Sequence, residues 1–318
     1  MDNSLSKKID LSLVIPVYNE EAVLWELYKR LNPILESLKL NYEVIFVNDG
    51  SGDGSQKIIE QINKKNLSYK CLAFSRNFGH QIAISAGLDF TQGSAAIIMD
   101  ADLQDPPELI PELLKKWKEG YEVICAKRES RKDGSFKKLT AHAFYRLFNK
   151  ISDISIPLDT GDFRLLDEKV VITLRSFREK NRFLRGLFSW TGYRHTYVTF
   201  RRDERYAGKT HYPVIKMIKF ALDGLFSFSA LPLRLATWLG IICSFAGFVG
   251  IIWVVIIRFL PNYTSSGWAT LMTTVLFLGG IQLFIMGMIG EYLSRIYTEV
   301  QNRPLYIIRD KIGINLTK

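Results

Sequence analysis

The sequence has few cysteines, and their spacing does not suggest a metal site or a disulfide framework. Its three cysteines, Cys71, Cys125 and Cys243, are widely separated along 318 residues. Zinc sites and disulfide scaffolds use closely spaced cysteines, so both are excluded and the composition fits a reducing compartment. The start of the chain also lacks an apolar run long enough for a signal peptide, because Pro16 interrupts it. We therefore expect no secretory leader.

Charge is missing from two long stretches near the C-terminus. Residues 236–257 contain no charged side chain, and neither do residues 259–290, which are broken near their start by Pro261 and Gly267. A helix rises ~1.5 Å per residue, so each stretch can cross a hydrocarbon layer of ~30 Å. The sequence predicts a transmembrane hairpin over 236–290, with spans at 236–257 and 268–290. The alternative is a buried core hairpin, although helices that are apolar on all sides rarely pair in a soluble domain this small.

Basic residues are distributed unevenly around this hairpin. The link between the spans carries only Arg258, whereas basic residues cluster before and after the hairpin. These residues are Arg201, Arg202, Arg205, Lys209, Lys216, Lys219 and Arg234 before it, and Arg295, Arg303, Arg309 and Lys311 after it. By the positive-inside rule, both termini are predicted to be cytoplasmic. The net charge of +10 also suits nucleic acid, but the hairpin makes an anionic membrane surface the simpler partner. No nucleic acid is expected.

Four parts of the chain follow from these patterns. Residues 1–212 form the soluble domain, and residues 213–235 carry Lys216, Lys219 and Asp223 on one face of a predicted amphipathic helix. Such a helix is expected to lie in the membrane interface, or alternatively to pack on the domain. The hairpin at 236–290 and a cytoplasmic tail at 291–318 complete the chain.

The soluble domain alternates strand and helix patterns. Strands are predicted at 11–17, 42–47, 69–74, 95–99 and 123–126, and helices at 22–38, 54–66 and 81–90. This order predicts an α/β fold with a mostly parallel sheet and helices on both faces. Ligands bind at the carboxyl ends of strands in open sheets of this kind. The polar clusters at Asp49, 75–77 and 100–104 each follow a strand, so we expect them to converge on one crevice.

The most informative cluster is the Asp100-Ala101-Asp102 sequence, which ends the apolar run of 97–99. In extended chain, alternate side chains point to one side, so both carboxylates can hold one hard cation. Mg²⁺ is typically shared between one or two carboxylates and substrate phosphates. The pair therefore suggests a metal-bridged diphosphate donor. The alternative is a polar strand end in which Asp105 caps a helix.

Glycines at 50, 52 and 54 lie in a strand-to-helix turn but do not form a dinucleotide-binding fingerprint. The G-x-G-x-x-G pattern requires a glycine at position 55, where this chain has Ser55. A hydride-transfer enzyme is therefore not favoured. The turn is expected to place Asp49 where it accepts a hydrogen bond from a nucleobase or ribose.

Taken together, the motifs resemble those of membrane-bound glycosyltransferases of family 2. The likeness covers nearly the whole chain and includes VIPVYNEE, VNDGSGDGS, SRNFGH, DADLQDPPE, TGDFRL, RYAGKTHY, GEYLSRIYTEV and RPLY. Within that family the chain looks most like bactoprenol glucosyltransferases and their relatives that make dolichol-phosphate mannose. The resemblance implies a GT-A nucleotide-binding fold (Rossmann-like), a UDP- or GDP-sugar donor, Mg²⁺ or Mn²⁺, and a polyprenyl phosphate acceptor. It also implies location in the bacterial inner membrane, and it leaves homo-oligomerisation open.

The same resemblance implies roles for individual residues. The nucleotide-binding positions are Pro16, Tyr18, Glu20, Asp49, Ser75, Asn77 and Asp100. The implied metal ligands are Asp100, Asp102 and Gln104, and the implied catalytic residues are Asp102, Asp162, Arg128 and Arg205. The two arginines match phosphate-contacting positions, where a planar guanidinium donates to two oxygens. One departure is His211, which stands where related enzymes commonly have lysine.

Asp162, in TGDFRL, is implied to act as the base or to position the acceptor. A phosphate monoester has a second pKa of ~6, so the acceptor needs little deprotonation, and Asp162 can instead orient Arg164. The expected reaction is inverting, metal-dependent transfer of one sugar to undecaprenyl phosphate. Glucose from UDP-glucose is the leading donor, ahead of N-acetylglucosamine, galactose and mannose. Two alternatives stay open: a processive polysaccharide synthase, and a non-enzymatic membrane scaffold.

Overall fold

The computed structural model describes residues 8–128, 160–200, 231–258 and 267–314. Within these residues, one eight-stranded sheet forms the α/β domain and two long helices follow it. The strands are β1 (Leu11–Val17), β2 (Tyr42–Asn48), β3 (Tyr69–Phe74), β4 (Ala95–Ile98), β5 (Val123–Arg128), β6 (Thr160–Asp167), β7 (His195–Phe200) and β8 (Ile308–Ile312).

The sheet has the order β7-β5-β6-β4-β1-β2-β3-β8. Strand β1 lies between β2 and β4 and is parallel to both, and β3 continues the parallel set beside β2. On the other side, β6 runs antiparallel to both β4 and β5, and β5 is parallel to β7. The predicted mostly parallel α/β sheet is confirmed. The carboxyl ends of β1, β2 and β4 therefore meet at one edge.

Helices cover both faces of the sheet. They are α1 (Leu24–Ser37), α2 (Ser55–Lys65), α3 (His80–Phe90), a 3₁₀ turn (Pro107–Leu109), α4 (Ile110–Lys118), α5 (Glu168–Ser176), α6 (Leu184–Trp190), α7 (Leu231–Arg258) and α8 (Trp268–Val300). Side chains of a strand alternate between faces, so Leu13 packs in the core with α1, α2 and α4, whereas Val14 packs in the core with α3, α5 and α6. Each face of the sheet therefore has a buried hydrophobic core under its helices, and the strand ends remain for a cleft.

The two C-terminal helices are long and apolar enough to cross a membrane. Their apolar side chains are exposed: Phe245 on α7 has 68% of its surface accessible, and Leu283 on α8 has 71%. This exposure contradicts the alternative of a buried core hairpin. Both helices exceed the predicted spans, since α7 begins at Leu231 and α8 continues to Val300. Residues 231–235, predicted as juxtamembrane, belong to α7.

The end of the chain returns to the sheet. We predicted residues 291–318 as a cytoplasmic tail without a strand, and within them β8 pairs antiparallel with β3 and forms an edge of the sheet. Its sequence, Ile308 to Ile312, places three charged residues between two isoleucines. Charged side chains are typical of edge strands and conceal the apolar alternation by which strands are predicted.

Candidate active site

A cleft of about 310 Å³ opens at the carboxyl ends of β1, β2 and β4. Its lining residues are Pro16, Val17, Tyr18, Glu20, Asp49, Asn77, Gly79, His80, Ala83, Asp100, Ala101 and Asp102. Seven of the predicted site residues are among them: Pro16, Tyr18, Glu20, Asp49, Asn77, Asp100 and Asp102. They meet because parallel strands end at the same edge of the sheet. The expected convergence of the polar clusters is therefore observed.

The loop after β1 is joined to the glycine-rich turn after β2 by reciprocal hydrogen bonds. Asn19 has a φ of 57° and donates its backbone N–H to Ser51 Oγ, while its side-chain oxygen accepts from the Gly52 N–H. The Glu20 N–H likewise donates to Ser55 Oγ at 3.0 Å. A non-glycine residue at positive φ is strained and persists where its surroundings fix it. The glycine-rich turn thus holds the loop after β1, which carries the cleft-lining residues Tyr18 and Glu20.

Asp49, which directly follows β2, connects the glycine-rich turn to the loop after β3. Its carboxylate accepts the Phe78 N–H at 2.6 Å and the Gly79 N–H at 2.9 Å. Gly50 has a φ of 69°, and a Cβ there would lie 2.5 Å from the Arg76 carbonyl carbon, so only glycine lets the loops approach this closely. Burial raises the pKa of Asp49, and the two amide bonds only partly oppose that effect. Asp49 therefore also organises the loop, besides facing the cleft.

The Asp-x-Asp sequence adopts a strained turn with unsatisfied oxygens. Leu103 has a φ of 59°, and beside it the Gln104 N–H donates to Asp102 Oδ1 at 3.1 Å. Asp105 Oδ2 lies 3.5 Å from the Asp100 N–H, so it turns back toward the motif. Among the described residues, Asp100 Oδ1 and Gln104 Oε1 are buried and lack a hydrogen-bond partner. Such oxygens are costly to bury unless a cation or donor binds them.

These oxygens fit a hard divalent cation. The described part of the chain has no group of three His, Cys, Asp or Glu side chains that could hold a metal by itself. Asp100, Asp102 and the Gln104 carbonyl instead offer a partial oxygen set, which is how Mg²⁺ is held when substrate phosphates complete its coordination. This partial set fits a cation whose coordination is completed by other ligands better than it fits a structural metal site.

Asp162 lies on β6 among cationic side chains and is 8% exposed. Arg185 donates to both of its oxygens, Nε to Oδ1 at 2.8 Å and Nη2 to Oδ2 at 3.2 Å. The buried Arg164 donates to the backbone oxygens of Gly161 and Asp162, at 2.7 and 3.3 Å. Burial alone would raise the pKa of Asp162, but the His80 hydrogen bond and the Arg185 guanidinium outweigh it and hold that pKa far below its usual range. The surroundings of Asp162 thus favour its ionised form.

His80 connects Asp162 to the Asp-x-Asp pair. Its Nε2 lies 3.3 Å from Asp162 Oδ2 and 3.5 Å from Asp100 Oδ1. Burial would lower the pKa of His80, but the hydrogen bond to Asp162 and the charge of Asp100 raise it overall. We did not assign His80 or Arg185 from the sequence. The available signals were the histidine that ends SRNFGH and the arginine in RFLRGL, but only the tertiary fold brings them to Asp162.

The other predicted residues lie elsewhere. Ser75 is not among the cleft-lining residues, and its N–H donates to the Ile307 carbonyl. Gln104 is buried and is not among the cleft-lining residues, and its N–H donates to Asp102 Oδ1. Arg128 ends β5, as its predicted position at a strand end requires. Arg205, His211 and the amphipathic segment up to residue 230 lie outside the described residues, and their roles stay predictions.

Comparison with known proteins identifies two families. Residues 12–175 match glycosyl transferase family 2, and residues 231–296 match the GtrB C-terminal hairpin. The glycosyltransferase YkcC of Bacillus subtilis is 50% identical over 98% of this chain and 96% of its own. The SfII prophage-derived bactoprenol glucosyl transferase of Shigella flexneri is 41% identical over 94% of this chain and 97% of its own.

Among solved structures, one match is glucosyl-3-phosphoglycerate synthase from Mycobacterium tuberculosis in complex with Mn²⁺, UDP-glucose and phosphoglyceric acid. It covers 69% of this chain and 78% of its own at 17% identity, with a TM-score of 0.48. The family matches and the near full-length relatives confirm the predicted resemblance and the enzyme class. This chain belongs to glycosyltransferase family 2 and carries the GtrB-type C-terminal hairpin.

Proposed function

We propose that the protein transfers one glucosyl residue from UDP-glucose to undecaprenyl phosphate at the cytoplasmic face of the bacterial inner membrane. The bactoprenol glucosyl transferases that resemble it over nearly the whole chain support this acceptor and sugar. The observation that carries the proposal is the pair Asp100 and Asp102 in a cleft at the sheet edge, on a chain that ends in an apolar hairpin.

The donor is proposed to bind with its nucleoside against Pro16, Tyr18 and Asp49. Its diphosphate would lie toward Asp100 and Asp102, which with Gln104 would hold Mg²⁺ or Mn²⁺. A divalent cation there neutralises the charge that develops on the departing UDP. Arg128 and Arg205 are proposed to contact donor or acceptor phosphates, because a guanidinium stays charged and donates to two oxygens.

The chemistry is proposed to be a single displacement with inversion. An oxygen of the lipid phosphate attacks the anomeric carbon, and the bond from that carbon to the UDP oxygen breaks, so its electron pair leaves with UDP. The lipid phosphate is mostly dianionic near neutral pH, because its second pKa is ~6, so a base is hardly needed. The low pKa of Asp162 also makes it a weak base. We assign Asp162 to positioning, through Arg185 and His80.

The hairpin gives the acceptor access to the site. The lipid tail of undecaprenyl phosphate stays in the bilayer, so the transferase must lie against the membrane surface. Helices α7 and α8 present exposed apolar side chains along their length, as lipid contact requires. The basic residues on both sides of the hairpin favour the cytoplasmic face, where UDP-sugars are available.

A transfer assay tests this proposal. Purified full-length protein is incubated with undecaprenyl phosphate and Mg²⁺ or Mn²⁺, and with a panel of radiolabelled UDP-glucose, UDP-N-acetylglucosamine, UDP-galactose and GDP-mannose. We expect labelled lipid from UDP-glucose, none with EDTA, and none with Asp102→Asn. Label from another sugar would correct the donor, polymeric product would indicate a processive synthase, and no label with any donor would reject the transferase function.

A further inference from the structure

The chain segment that follows α8 contacts the loop 75–79, which follows β3 and carries the cleft-lining residues Asn77 and Gly79. We call residues 301–312 the return segment; it leaves α8 and ends in β8 at the sheet edge. The Ile307 carbonyl accepts the Ser75 N–H at 3.0 Å, so the return segment pairs with the residue that follows β3. The sequence motif RPLY, residues 303–306, belongs to this segment and has no role in the proposed chemistry.

Tyr306 makes the central contacts of the return segment. Its ring stacks on the fully buried Phe74 ring with centroids 5.3 Å apart and an interplanar angle of 15°. Its hydroxyl donates to Asp89 Oδ2 at 2.8 Å, and Arg178 pairs with the same oxygen at 3.2 Å. Tyr306 is thus fixed both by stacking and by a charged acceptor.

A short series of contacts joins Tyr306 to the cleft. Phe74 meets Phe78 edge to face, with centroids 5.5 Å apart and an interplanar angle of 85°. The Phe78 and Gly79 N–H groups donate to Asp49, and Asn77 in the same loop lines the cleft. The loop 75–79 is therefore held by Asp49 at Phe78 and Gly79 and by Ile307 at Ser75, while Tyr306 supports it indirectly, through Phe74 and Phe78.

The other end of the return segment is attached to the domain at the end of α8. Glu299 accepts the Lys180 N–H at 2.7 Å, and the Lys180 ammonium donates to the Arg303 carbonyl. Helix α8 is roughly 50 Å long at ~1.5 Å per residue, which exceeds a ~30 Å hydrocarbon layer. The return segment thus links α8 to the loop 75–79 and contacts the domain at both of its ends.

We propose that Tyr306 is a positioning residue for the nucleotide donor. It acts through Phe74 and Phe78, which hold the loop 75–79 so that Asp49 and Asn77 keep their places in the cleft. The inference rests on the proposed nucleotide-sugar function of that cleft. It predicts that loss of the Tyr306 ring weakens nucleotide binding while leaving Asp100 and Asp102, which follow β4, and Asp162 on β6 in place.

The experiment measures UDP binding with Mn²⁺ by isothermal titration of the full chain in detergent, and then donor KM and kcat. Tyr306→Ala loses both the stack and the hydrogen bond, so we expect UDP to bind roughly tenfold more weakly, from the strength of an aromatic pair and its hydrogen bond. Donor KM should rise by a similar factor, with kcat at saturating donor within about twofold of the wild-type value. Tyr306→Phe keeps the ring and should restore UDP affinity to within about threefold.

Tyr297→Ala is the matched control, because this tyrosine is 64% exposed on α8 and should leave UDP affinity unchanged. If Tyr306→Ala cannot be purified, Tyr306→Leu carries the test, since leucine fills apolar space without stacking. Wild-type UDP affinity in the alanine or leucine variant would overturn the inference, as would a loss confined to kcat. Absence of UDP binding by the wild-type protein would instead reject the proposed function.

Discussion

Asp162→Asn separates positioning from base catalysis. The substitution keeps the size of the side chain but removes the charge that Arg185 and His80 contact. Asparagine offers one carbonyl oxygen where aspartate offers two acceptors, so at least one of the two Arg185 bonds is lost. Arg185 therefore loses part of the bidentate contact through which Asp162 positions it.

The size of the effect follows from the bonds removed. A hydrogen bond to a charged group contributes about 1.5–3 kcal/mol, so the loss at Asp162 is about 2–3 kcal/mol. If that energy holds the reacting groups in the transition state, kcat falls roughly 30- to 150-fold, at 1.36 kcal/mol for each factor of ten. Membrane insertion should be unaffected because Asp162 lies on β6, outside both apolar helices.

The assay is the initial rate of glucose transfer to undecaprenyl phosphate at saturating donor, measured from about pH 5 to 9. If Asp162 positions other groups, the fall in rate at acid pH reports the lipid phosphate, with a pKa of ~6, and should persist in Asp162→Asn. Asp167→Asn is the matched control on the same strand: the Asp167 carboxylate accepts the Lys169 N–H and the Trp117 Nε1–H and does not line the cleft, so this variant should keep kcat near the wild-type value.

Two results would refute this reasoning. A kcat for Asp162→Asn within about threefold of wild type would mean that the carboxylate neither positions nor reacts. Loss of the acid limb in the variant would show that it belongs to Asp162 or to His80, whose pKa Asp162 raises, and not to the lipid phosphate. An acid limb that belongs to Asp162 would also contradict the low pKa that His80 and Arg185 impose on this carboxylate.

Three further changes test other parts of the site and fold. Asp102→Asn should abolish metal-dependent UDP binding in isothermal titration, and affinity equal to wild type would reject its role as a ligand. Gly50→Ala should weaken UDP binding at least tenfold, because its Cβ would lie 2.5 Å from the Arg76 carbonyl carbon at a φ of 69°; unchanged affinity would show that the loop adapts. Glu43→Gln should lower stability by about 3 kcal/mol in thermal unfolding, since it removes the buried negative charge that pairs with Lys70 at 2.7 Å. We expect kcat at low temperature to stay unchanged, and an unshifted melting temperature would contradict this prediction.

Much of the cleft was predictable because it depends on strand order and on chain direction. Once the β-α alternation predicted parallel strands, residues at their carboxyl ends had to meet, and Tyr18, Asp49 and Asp102 do so. The bounds of β1 and β3 were predicted without error, because largely apolar runs end there in polar clusters. These features are local in the sequence or follow from one topological rule.

The features that were missed depend on tertiary contacts. His80 and Arg185 reach Asp162 across 82 and 23 residues of sequence, and no spacing rule predicts such a meeting. Strand β8 was missed because its charged residues at 309–311 outweigh its two isoleucines. The continuation of α8 to Val300 was missed because charge marks the end of a membrane span, not the end of a helix.

The account depends most on where a nucleotide and its cation bind. The direct measurement is a structure of the full chain with UDP and Mn²⁺, with data collected at the manganese absorption edge. We expect an anomalous peak about 2.2 Å from carboxylate oxygens of Asp100 and Asp102, with the UDP diphosphate on its other side. UDP bound outside this cleft, or a manganese peak away from both aspartates, would contradict the proposed site.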